Sequence, residues 1–361
     1  MINIITLHDI CNPGSVFQAY ALDKFINDNG YECQIIDYVP YYSHIGKNKL
    51  KGIIKNILFG KNAKILKKKY HDFIKENMHM TSRRYTTYAQ MLDDPPRADI
   101  YISGSDQLWN RDYDCGNDEA YYLSFANDAK KISYATSLGK KEISDIDLDF
   151  ISSRIKGFEH ISVREQSSTR FLSSKLNRTI EWVCDPVFLL DKNDYLKKNK
   201  RLVSDKYIVI YLSAGTELLE QTIRNIRENT GYKVVLLGGN IARCSCDVHF
   251  VDMGPEDFIS LVYYAEAVLS SSFHATAFSH IFHKRFGVIL PKKNGERIES
   301  LLNLSELTDH IIDSSEDYTV LLKDVDYTEV DKKMAPFIEN SKEYLLSSIS
   351  SCLDVKREKA K

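Results

Sequence analysis

Short apolar strand patterns and amphipathic helix patterns alternate along most of this 361-residue chain, and this alternation constrains the fold more than any other feature. In the first half, residues 2–7 have the pattern of a strand, residues 15–29 that of a helix ending at Gly30, and residues 33–38 that of a second strand. Alternating strands and helices predict parallel sheets with right-handed crossover connections. The chain is therefore predicted to be an α/β protein.

The alternation restarts after a polar connector, which predicts two domains. Residues 191–205 are rich in lysine and asparagine, and an apolar strand pattern follows at residues 207–212. A length of 361 residues also exceeds what one ordinary core needs. We predict an N-terminal Rossmann-like domain over residues 1–190 with a basic insertion at about 43–80, a C-terminal Rossmann-like domain over 205–325, and a C-terminal helix over 326–361.

Composition and charge exclude several classes of protein. Hydrophobic residues make up 43% of the chain, enough for packed cores, and the formal net charge of −2 gives no general reason to bind nucleic acid. No apolar run approaches the length of a membrane span, and the first residues follow a strand pattern without a charged leader. The seven cysteines are odd in number and scattered. We therefore expect a cytoplasmic protein with reduced thiols.

One local segment is strongly basic. Residues 47–75 contain ten lysines and a single acidic residue, Asp72, with isoleucine, leucine and phenylalanine among them. Such a segment can lie on an anionic membrane surface, here the inner face of the plasma membrane. The favoured alternative is a solvated helical insertion that packs on the first domain.

Metal and cofactor signals are weak. Cys244, Cys246 and His249 lie close together, but a Cys-x-Cys-x-x-His spacing without an evident fourth ligand fits structural zinc sites poorly. No other cluster has ligand spacing, so we predict no metal. The loop after the first strand is not a Gly-x-Gly-x-x-Gly fingerprint, so no dinucleotide cofactor is predicted.

The stretch at residues 270–286 is the strongest candidate for a ligand site. It follows an apolar strand pattern and begins a helix with Ser271 or Ser272 as its N-cap. Ligands of open parallel sheets bind beyond the carboxyl ends of the strands, and a helix N-terminus favours anions. His274 adds a titratable ring in the first turn. An ordinary core helix is an equal alternative.

A second candidate loop contains three polar side chains beside a large ring. Ser105, Asp106 and Gln107 follow a strand pattern and precede Trp109. Hydrogen-bonding groups beside an aromatic face are typical of a sugar site. The alternative is a helix N-cap followed by a buried tryptophan.

Two arginines are candidate anion ligands. Arg164 ends a strand pattern directly before Glu165, where its guanidinium fork suits a carboxylate or phosphate, with a plain ion pair as the alternative. Arg297 stands at the start of a short helix. The turn around Asn12 and Gly14 could also point backbone amides at a ligand, although an ordinary strand-to-helix turn is favoured there.

Together these loops resemble the polysaccharide pyruvyl transferase family. The resemblance runs from residue 6 to about residue 305 and rests on motifs that occur in the family's order. They are Asn12-x-Gly14 with Gln18, Gly-Ser-Asp-Gln-x-Trp-Asn at 104–110, Tyr-Ala-Thr-Ser-Leu-Gly at 134–139, Ser-Val-Arg-Glu at 162–165, Asp185-Pro186, Ser-Phe-His-x-Thr-Ala-Phe-Ser at 272–279, and Arg-Ile-x-x-Leu-Leu at 297–302.

The resemblance implies a GT-B-like fold, with two Rossmann-like domains facing across a cleft and a C-terminal helix. It implies transfer of pyruvate from phosphoenolpyruvate, the co-substrate, to a sugar of a cell-surface polysaccharide or its lipid-linked precursor as a cyclic ketal. The donor would be bound by Arg164 and by an Arg-x-His pair, whose histidine matches His274. The arginine position holds Ser272 instead, and Arg297 is our candidate replacement.

Further roles follow from the same resemblance. We expect His274 to be the general acid and Glu165 or Asp106 to accept the hydroxyl proton. The expected acceptor-binding residues are Asn12, Gly14, Gln18, Ser105, Asp106, Gln107 and Ser137. Two other functions stay open: a GT-B glycosyltransferase that uses a nucleotide sugar, for which nothing after Gly238 clearly supplies a base pocket, and a non-catalytic glycan-binding protein.

Overall fold

The computed structural model describes residues 1–44, 49–212, 217–238, 244–291 and 295–359, without the side chains of residues 43–44, 49–61 and 355–359. Within these ranges, each half of the chain forms a parallel sheet of five strands. The basic segment that we predicted at residues 47–75 lies partly outside the described side chains.

The first sheet has the strand order β3-β2-β1-β4-β5, and all its neighbouring strands are parallel. This is the Rossmann strand order without its sixth strand. Two short strands, β6 and β7, pair with each other and continue the sheet through isolated bridges beyond β5. The strands are β1 (Ile2–Ile5), β2 (Cys33–Tyr38), β3 (Met80–Tyr85), β4 (Ile100–Ser103), β5 (Lys130–Ser133), β6 (Ser162–Val163) and β7 (Glu181–Trp182).

The second sheet repeats that topology, with the order β10-β9-β8-β11-β12 and only parallel pairs. Its central strands are continuous apolar runs, as expected for a sheet covered on both faces. The strands are β8 (Tyr207–Tyr211), β9 (Lys233–Leu237), β10 (Val248–Phe250), β11 (Ala267–Ser270) and β12 (Arg285–Val288).

Helices connect the strands and cover both sheets. They are α1 (Pro13–Asp28), α2 (Lys49–Asn77), α3 (Tyr88–Asp93), α4 (Asp145–Ile155), α5 (Gln166–Leu176), α6 (Lys192–Tyr195), α7 (Glu217–Thr230), α8 (Pro255–Tyr264), α9 (Phe273–Ile281), α10 (Glu296–Ser305) and α11 (Tyr327–Lys359). Asn12 caps α1, where its Oδ1 accepts from the backbone N–H groups of Gly14 and Ser15, and Pro13 occupies the first helical position.

The two halves share one apolar core. Phe17 of α1 lies with its ring centroid 5.3 Å from that of Phe278 in α9 and 5.7 Å from that of Tyr195 in α6. All three rings belong to a cluster that also contains residues of both sheets. Burial of large aromatic side chains is a main source of stability, so this contact fixes how the halves face each other. The sheets lie inside the two predicted domains, whose boundaries stay a prediction.

The last helix returns to the first half. Tyr327, at its start, donates from its hydroxyl to the carbonyl oxygens of Ser279 and Lys284 in the second half. Further along, the backbone N–H of Cys184 donates to the Ser341 hydroxyl at 2.9 Å. The predicted C-terminal helix is therefore confirmed over Tyr327–Lys359, and it crosses between the halves.

The basic insertion is largely one helix, α2, rather than an irregular segment. Its C-terminal part packs on the protein, because Tyr70, Phe73 and Ile74 are buried and Lys69 forms an ion pair with Asp257 of the second half at 2.8 Å. This part fits the packed-insertion alternative. No described helix is long and apolar enough to cross a membrane.

Candidate functional site

The candidate site lies where the amino ends of α1 and α9 meet. Both helices follow central strands at the point where the order of their sheet reverses, which is where open parallel sheets bind ligands. Gly14 in the first turn of α1 lies directly against the imidazole of His274, and a Cβ on Gly14 would overlap Nδ1 of that ring. The absence of a side chain at Gly14 therefore allows this approach.

The opening of α9 follows the predicted pattern. Ser272 is the N-cap residue, and its hydroxyl accepts from the N–H of Ala275 at 3.5 Å, while its own N–H donates to the Ser270 hydroxyl at 2.9 Å. Ser272 therefore orders the turn before His274. Its short side chain does not replace the cation that the family resemblance implies at this position.

Two guanidinium groups lie against one aromatic ring at this place. The Arg164 guanidinium carbon is 4.9 Å from the centroid of the Phe273 ring, and that of Arg297 is 5.9 Å from it. Burial and the neighbouring charge of Arg164 lower the pKa of the Arg297 guanidinium. Two cations against one ring favour a bound anion, and Arg297 supplies a cation against Phe273, the residue that follows Ser272.

Several nitrogens of Arg164, Arg297 and His274 are buried without hydrogen-bond partners among the described residues. They are Nε and Nη2 of Arg164, Nε of Arg297 and Nε2 of His274. A buried donor that lacks an acceptor costs about 1–3 kcal/mol, and more when it is charged. Because the unpaired donors converge on one place, a ligand with several acceptor oxygens would satisfy them.

Asp185 is the acidic partner of these cations. Its Oδ2 accepts from Nη1 of Arg164 and lies 3.5 Å from Nε2 of His274. Burial alone would raise the pKa of Asp185, but the charges of His274 and Arg164 lower it below its usual range. The plain ion pair that was the alternative for Arg164 therefore exists, yet it uses only part of the guanidinium.

Asp106 is a second buried carboxylate beside the site. It accepts a hydrogen bond of 2.6 Å from the Ser15 hydroxyl, and its backbone φ of 79° lies in the left-handed region. Burial would raise its pKa, but the charges of Arg164, His274 and Arg297 outweigh burial, and the pKa is lowered. Such a strained turn in a cleft is often functional.

Glu165 is more enclosed than Asp106. It has no exposed surface, and its carboxylate accepts from the Ser137 hydroxyl, from the N–H of Leu138 at 3.3 Å and from the Ser168 hydroxyl at 3.4 Å. These bonds tie the start of α5 to the loop after β5. Both Glu165 and Ser137 lie beside the site, but in this conformation their polar groups bind each other.

The other predicted acceptor residues are divided between the surface and the interior. Asn12 is exposed and Gln107 is half-buried, whereas Ser105 is buried and donates to Asp185 Oδ2 at 3.3 Å. Gln18 is fully buried, and its amide donates to the Leu7 and Ser15 carbonyl oxygens. Gln18 thus supports the turn before α1, and the acceptor contacts of these residues stay predictions.

The large ring of the Ser105–Trp109 loop does not face the cleft. Trp109 has no exposed surface and stacks on Tyr122, with a centroid separation of 6.0 Å and an interplanar angle of 7°. Its indole N–H donates to the Tyr121 carbonyl oxygen at 3.4 Å. The suggestion that this ring stacks on a sugar is therefore wrong, and the alternative of a buried tryptophan is correct.

A small cavity adjoins both arginines. Arg164, Asp185, Phe273 and Arg297 line it on one side and mostly apolar side chains line the other, and its volume is about 30 Å³. One water molecule needs about 10–15 Å³ by this measure. The cavity therefore has room for about one or two water molecules, and a larger ligand can enter only if the surrounding elements move apart.

Among the described residues, no group of three or more histidine, cysteine, aspartate or glutamate side chains could hold a metal ion. Cys244 and Cys246 are free and partly exposed. The sequence therefore indicated the arginines and the histidine of the site, but it assigned no role to Asp185, which stood only in the Asp185-Pro186 motif of the family resemblance. The Asp185-Pro186 motif marked the position, and its ionic role appears only in three dimensions.

The chain matches one family of known proteins. The sequence pattern of a family described as polysaccharide pyruvyl transferase matches residues 12–292, which is most of the chain. No curated protein sequence matches this chain.

Several solved structures share the fold. A putative UDP-N-acetylglucosamine 2-epimerase from Listeria monocytogenes has a TM-score of 0.57 at 9% identity, covering 98% of this chain and 96% of that one. A UDP-glucosyltransferase from Polygonum tinctorium has a TM-score of 0.53 at 9% identity, covering 98% of each chain. The UDP-GlcNAc 2-epimerase from Neisseria meningitidis has a TM-score of 0.52 at 10% identity, covering 97% and 99%. At such low identity the likeness shows the fold alone, and that fold is GT-B-like.

Proposed function

The chain belongs to the polysaccharide pyruvyl transferase family, and on that premise we propose that it transfers pyruvate from phosphoenolpyruvate to a sugar. The acceptor is a cell-surface polysaccharide or its lipid-linked precursor. Two hydroxyl groups of one sugar become bridged by a cyclic ketal, and phosphate is released. No cofactor or metal takes part in this proposal.

One observation carries the proposal: the buried, unpaired nitrogens of Arg164, Arg297 and His274 converge beside two helix N-termini. Phosphoenolpyruvate has a carboxylate and a phosphate, so it offers acceptor oxygens for more than one cation. Guanidinium groups bind both kinds of oxyanion in a bidentate manner. The amino ends of α1 and α9 add partial positive charge.

His274 is the proposed general acid. Gly14 covers its Nδ1 edge, so we assign the reacting proton to Nε2, which has no hydrogen-bond partner among the described residues and lies 3.5 Å from Asp185 Oδ2. Transfer of the Nε2 proton to the donor's methylene carbon makes a methyl group and leaves positive charge on the neighbouring carbon. One sugar hydroxyl oxygen bonds to that carbon, the bond to the phosphate oxygen breaks, and the second hydroxyl closes the ketal. One hydroxyl proton restores the proton that His274 gave to the methyl group. The other hydroxyl proton ends on the phosphate.

Asp106 is the proposed base for the attacking hydroxyl. Its lowered pKa keeps it ionised near neutral pH, and it is bonded to Ser15 at the amino end of α1. Glu165 is the less suitable of the two predicted bases, because it has no exposed surface and accepts from Ser137, Leu138 and Ser168, whereas the Asp106 carboxylate accepts, among the described residues, only from Ser15 and the N–H of Gln107. A base must come within hydrogen-bond reach of the proton that it removes.

The test is phosphate release from phosphoenolpyruvate in the presence of a panel of glycans. We expect His274→Ala to reduce the rate about 100-fold or more, as loss of a general acid does. Arg164→Lys keeps the charge near Asp185 but loses the planar fork, and we expect it to weaken donor binding about tenfold or more. Circular dichroism and thermal melting check that both variants are folded.

Two surface residues outside the site serve as matched controls. His249→Ala and Arg285→Ala remove the same kinds of side chain from β10 and β12, where Arg285 pairs with Asp324. These variants should keep the wild-type rate. A folded His274→Ala protein with a near-normal rate would contradict the assignment. Calorimetric binding of a nucleotide sugar in place of phosphoenolpyruvate would favour a glycosyltransferase, and binding of neither donor would favour a non-catalytic glycan-binding protein.

We also propose that the protein meets its lipid-linked acceptor at an anionic membrane surface. The lysines of residues 47–75 support this, in particular those in the N-terminal part of α2. The C-terminal part of that helix packs on the protein through Tyr70 and Phe73. We therefore assign the membrane contact to the N-terminal part of α2.

A further inference from the structure

We propose that Asp185 is a positioning residue for the proton transfer. Its carboxylate fixes Arg164 of the first half and His274 of the second half, and it favours the protonated imidazole. This inference rests on the proposed function and deepens it. It assigns a role to a residue that contacts both cations without itself reacting.

The backbone around Asp185 is held rigidly. Pro186 restricts Asp185 to extended geometry, and Asp185 Oδ1 accepts from the N–H of Val187 at 3.1 Å as the cap of a short 3₁₀ turn. The preceding residue, Cys184, donates from its N–H to the Ser341 hydroxyl on α11 at 2.9 Å. Oδ1 thus accepts a hydrogen bond from the backbone, and Oδ2 faces the site.

That second oxygen, Oδ2, joins three groups from separate elements. Nη1 of Arg164, which follows β6, donates to it; the Ser105 hydroxyl, from the loop after β4, donates at 3.3 Å; and His274 Nε2, on α9, lies 3.5 Å away. Asp185 is 1% exposed. A fully buried carboxylate is stable only when it is paired, so these contacts hold the three groups in one arrangement.

The orientation of the imidazole follows from two opposing contacts. Gly14 covers the Nδ1 edge of His274, and Asp185 lies beyond Nε2. The charged groups near the ring are the carboxylates of Asp185 and Asp106 and two guanidinium groups, that of Arg164, which pairs with Asp185, and that of Arg297, which lies against Phe273. An ionised carboxylate 3.5 Å from Nε2 attracts the positive charge of a protonated ring. Asp185 stays ionised throughout the reaction.

The variant Asp185→Asn tests this role because it keeps the shape and the oxygen that accepts from Val187. We expect kcat for phosphate release to fall about tenfold or more, with a smaller change in the KM for phosphoenolpyruvate. We also expect the alkaline side of the rate-against-pH profile to move to lower pH, since the protonated ring loses its anionic partner. A purely structural role would lower the rate without moving the profile.

Asp191→Asn is the matched control. Asp191 also precedes a short helix, but it is exposed, and its side chain makes no cap hydrogen bond. This variant should keep the wild-type rate and profile. Asp185→Glu retains the charge but displaces it by one methylene, so it should lower kcat while leaving the profile near that of the wild type. If Asp185→Asn fails to fold, an unchanged kcat in Asp185→Glu overturns the proposal.

Ring NMR without donor separates this inference from the proposed function. The spectra use labelled histidine, and the His274 signal is the one that is lost in His274→Gln. The midpoint of the change of this signal with pH should lie at lower pH in Asp185→Asn than in the wild type. If it does, but the wild type releases no phosphate, the proposed function fails, and the interaction of Asp185 with the His274 ring stands without a role in this reaction. If the wild type releases phosphate, and Asp185→Asn keeps its rate and pH profile, the positioning role fails and the proposed function stands.

Discussion

At the scale of single residues, Gly14 has a role that depends on having no side chain. We expect Gly14→Ala to reduce phosphate release about tenfold or more, because the new methyl group would displace the His274 ring from its place beside Asp185. Steady-state rates of the purified variant measure this effect, and thermal melting shows whether the displacement stays local.

The control for that substitution is Gly157→Ala. A Cβ on Gly157 meets no atom within 4 Å, so this variant should keep both the rate and the melting temperature. Equal rates for the wild type and Gly14→Ala would mean that the ring can move away without consequence, and the general-acid role of His274 would then lose its structural basis.

The residues that line the site could be predicted only in part. Hydroxyl residues, arginines and the histidine stand out in the sequence because their chemistry suits an anion at a strand end. The contacts of Gly14 and Asp185 could not be read in this way, because each joins segments that are far apart in the chain. Gly14 and His274 are separated by 260 positions, and nothing local to either residue indicates the other.

At the scale of secondary structure elements, α2 combines two surfaces. From Lys69 onward it packs against the second half and the core, with Lys69 paired to Asp257. We expect replacement of four lysines of its earlier part, Lys49, Lys51, Lys55 and Lys61, by glutamine to weaken binding to phosphatidylserine vesicles at least tenfold. Each lysine near an anionic surface contributes about 1 kcal/mol. Vesicle co-sedimentation at fixed ionic strength measures the change.

A charge-matched variant controls for a general loss of positive charge. Replacing Lys192, Lys197, Lys200 and Lys206 by glutamine removes the same charge from the connector between the halves and the residue that follows it. Equal vesicle binding by the wild type and both variants would exclude α2 as the membrane contact. Equal weakening in both variants would indicate attraction by overall charge alone.

Strands and helices were predictable where apolar residues recur with a clear period. Strands β1, β2, β8, β9 and β11 are short apolar runs, and the sequence indicates each of them. In contrast, β3 was missed because its central residues, Ser82, Arg83 and Arg84, are polar and exposed at the edge of the sheet. The four-residue β12 was also missed, because it follows α9 so closely that its residues extend the helical pattern.

At the scale of the whole molecule, the interlobe contact and the site depend on each other. The rings of Phe17 and Phe278 join α1 to α9, and the amino ends of the same helices bring Gly14 to His274. The cavity of about 30 Å³ beside the arginines is too small for phosphoenolpyruvate. Under the proposed function, entry of the donor therefore requires movement of the elements that line the cavity, which is a common step in enzymes whose sites lie between lobes.

The stability of the whole protein should decrease in mild acid because of His280. This residue of α9 is buried, and its ring nitrogens lie 2.9 Å from the Thr276 carbonyl oxygen and 3.1 Å from the Ser305 hydroxyl. Burial lowers the pKa of His280 to about 4, whereas an unfolded histidine has a pKa of about 6.5. Between these values the unfolded chain binds more protons, so acidification favours unfolding.

We expect the free energy of unfolding to fall by about 2 kcal/mol from this residue alone between pH 7.5 and pH 5. Burial also lowers the pKa of His310 and His160, which act in the same direction. Urea denaturation at the two pH values measures the loss. His280→Gln should be less stable at pH 7.5 but should lose less on acidification, whereas the surface variant His249→Gln should match the wild type. An equal loss in His280→Gln and the wild type would show that other groups cause the acid sensitivity.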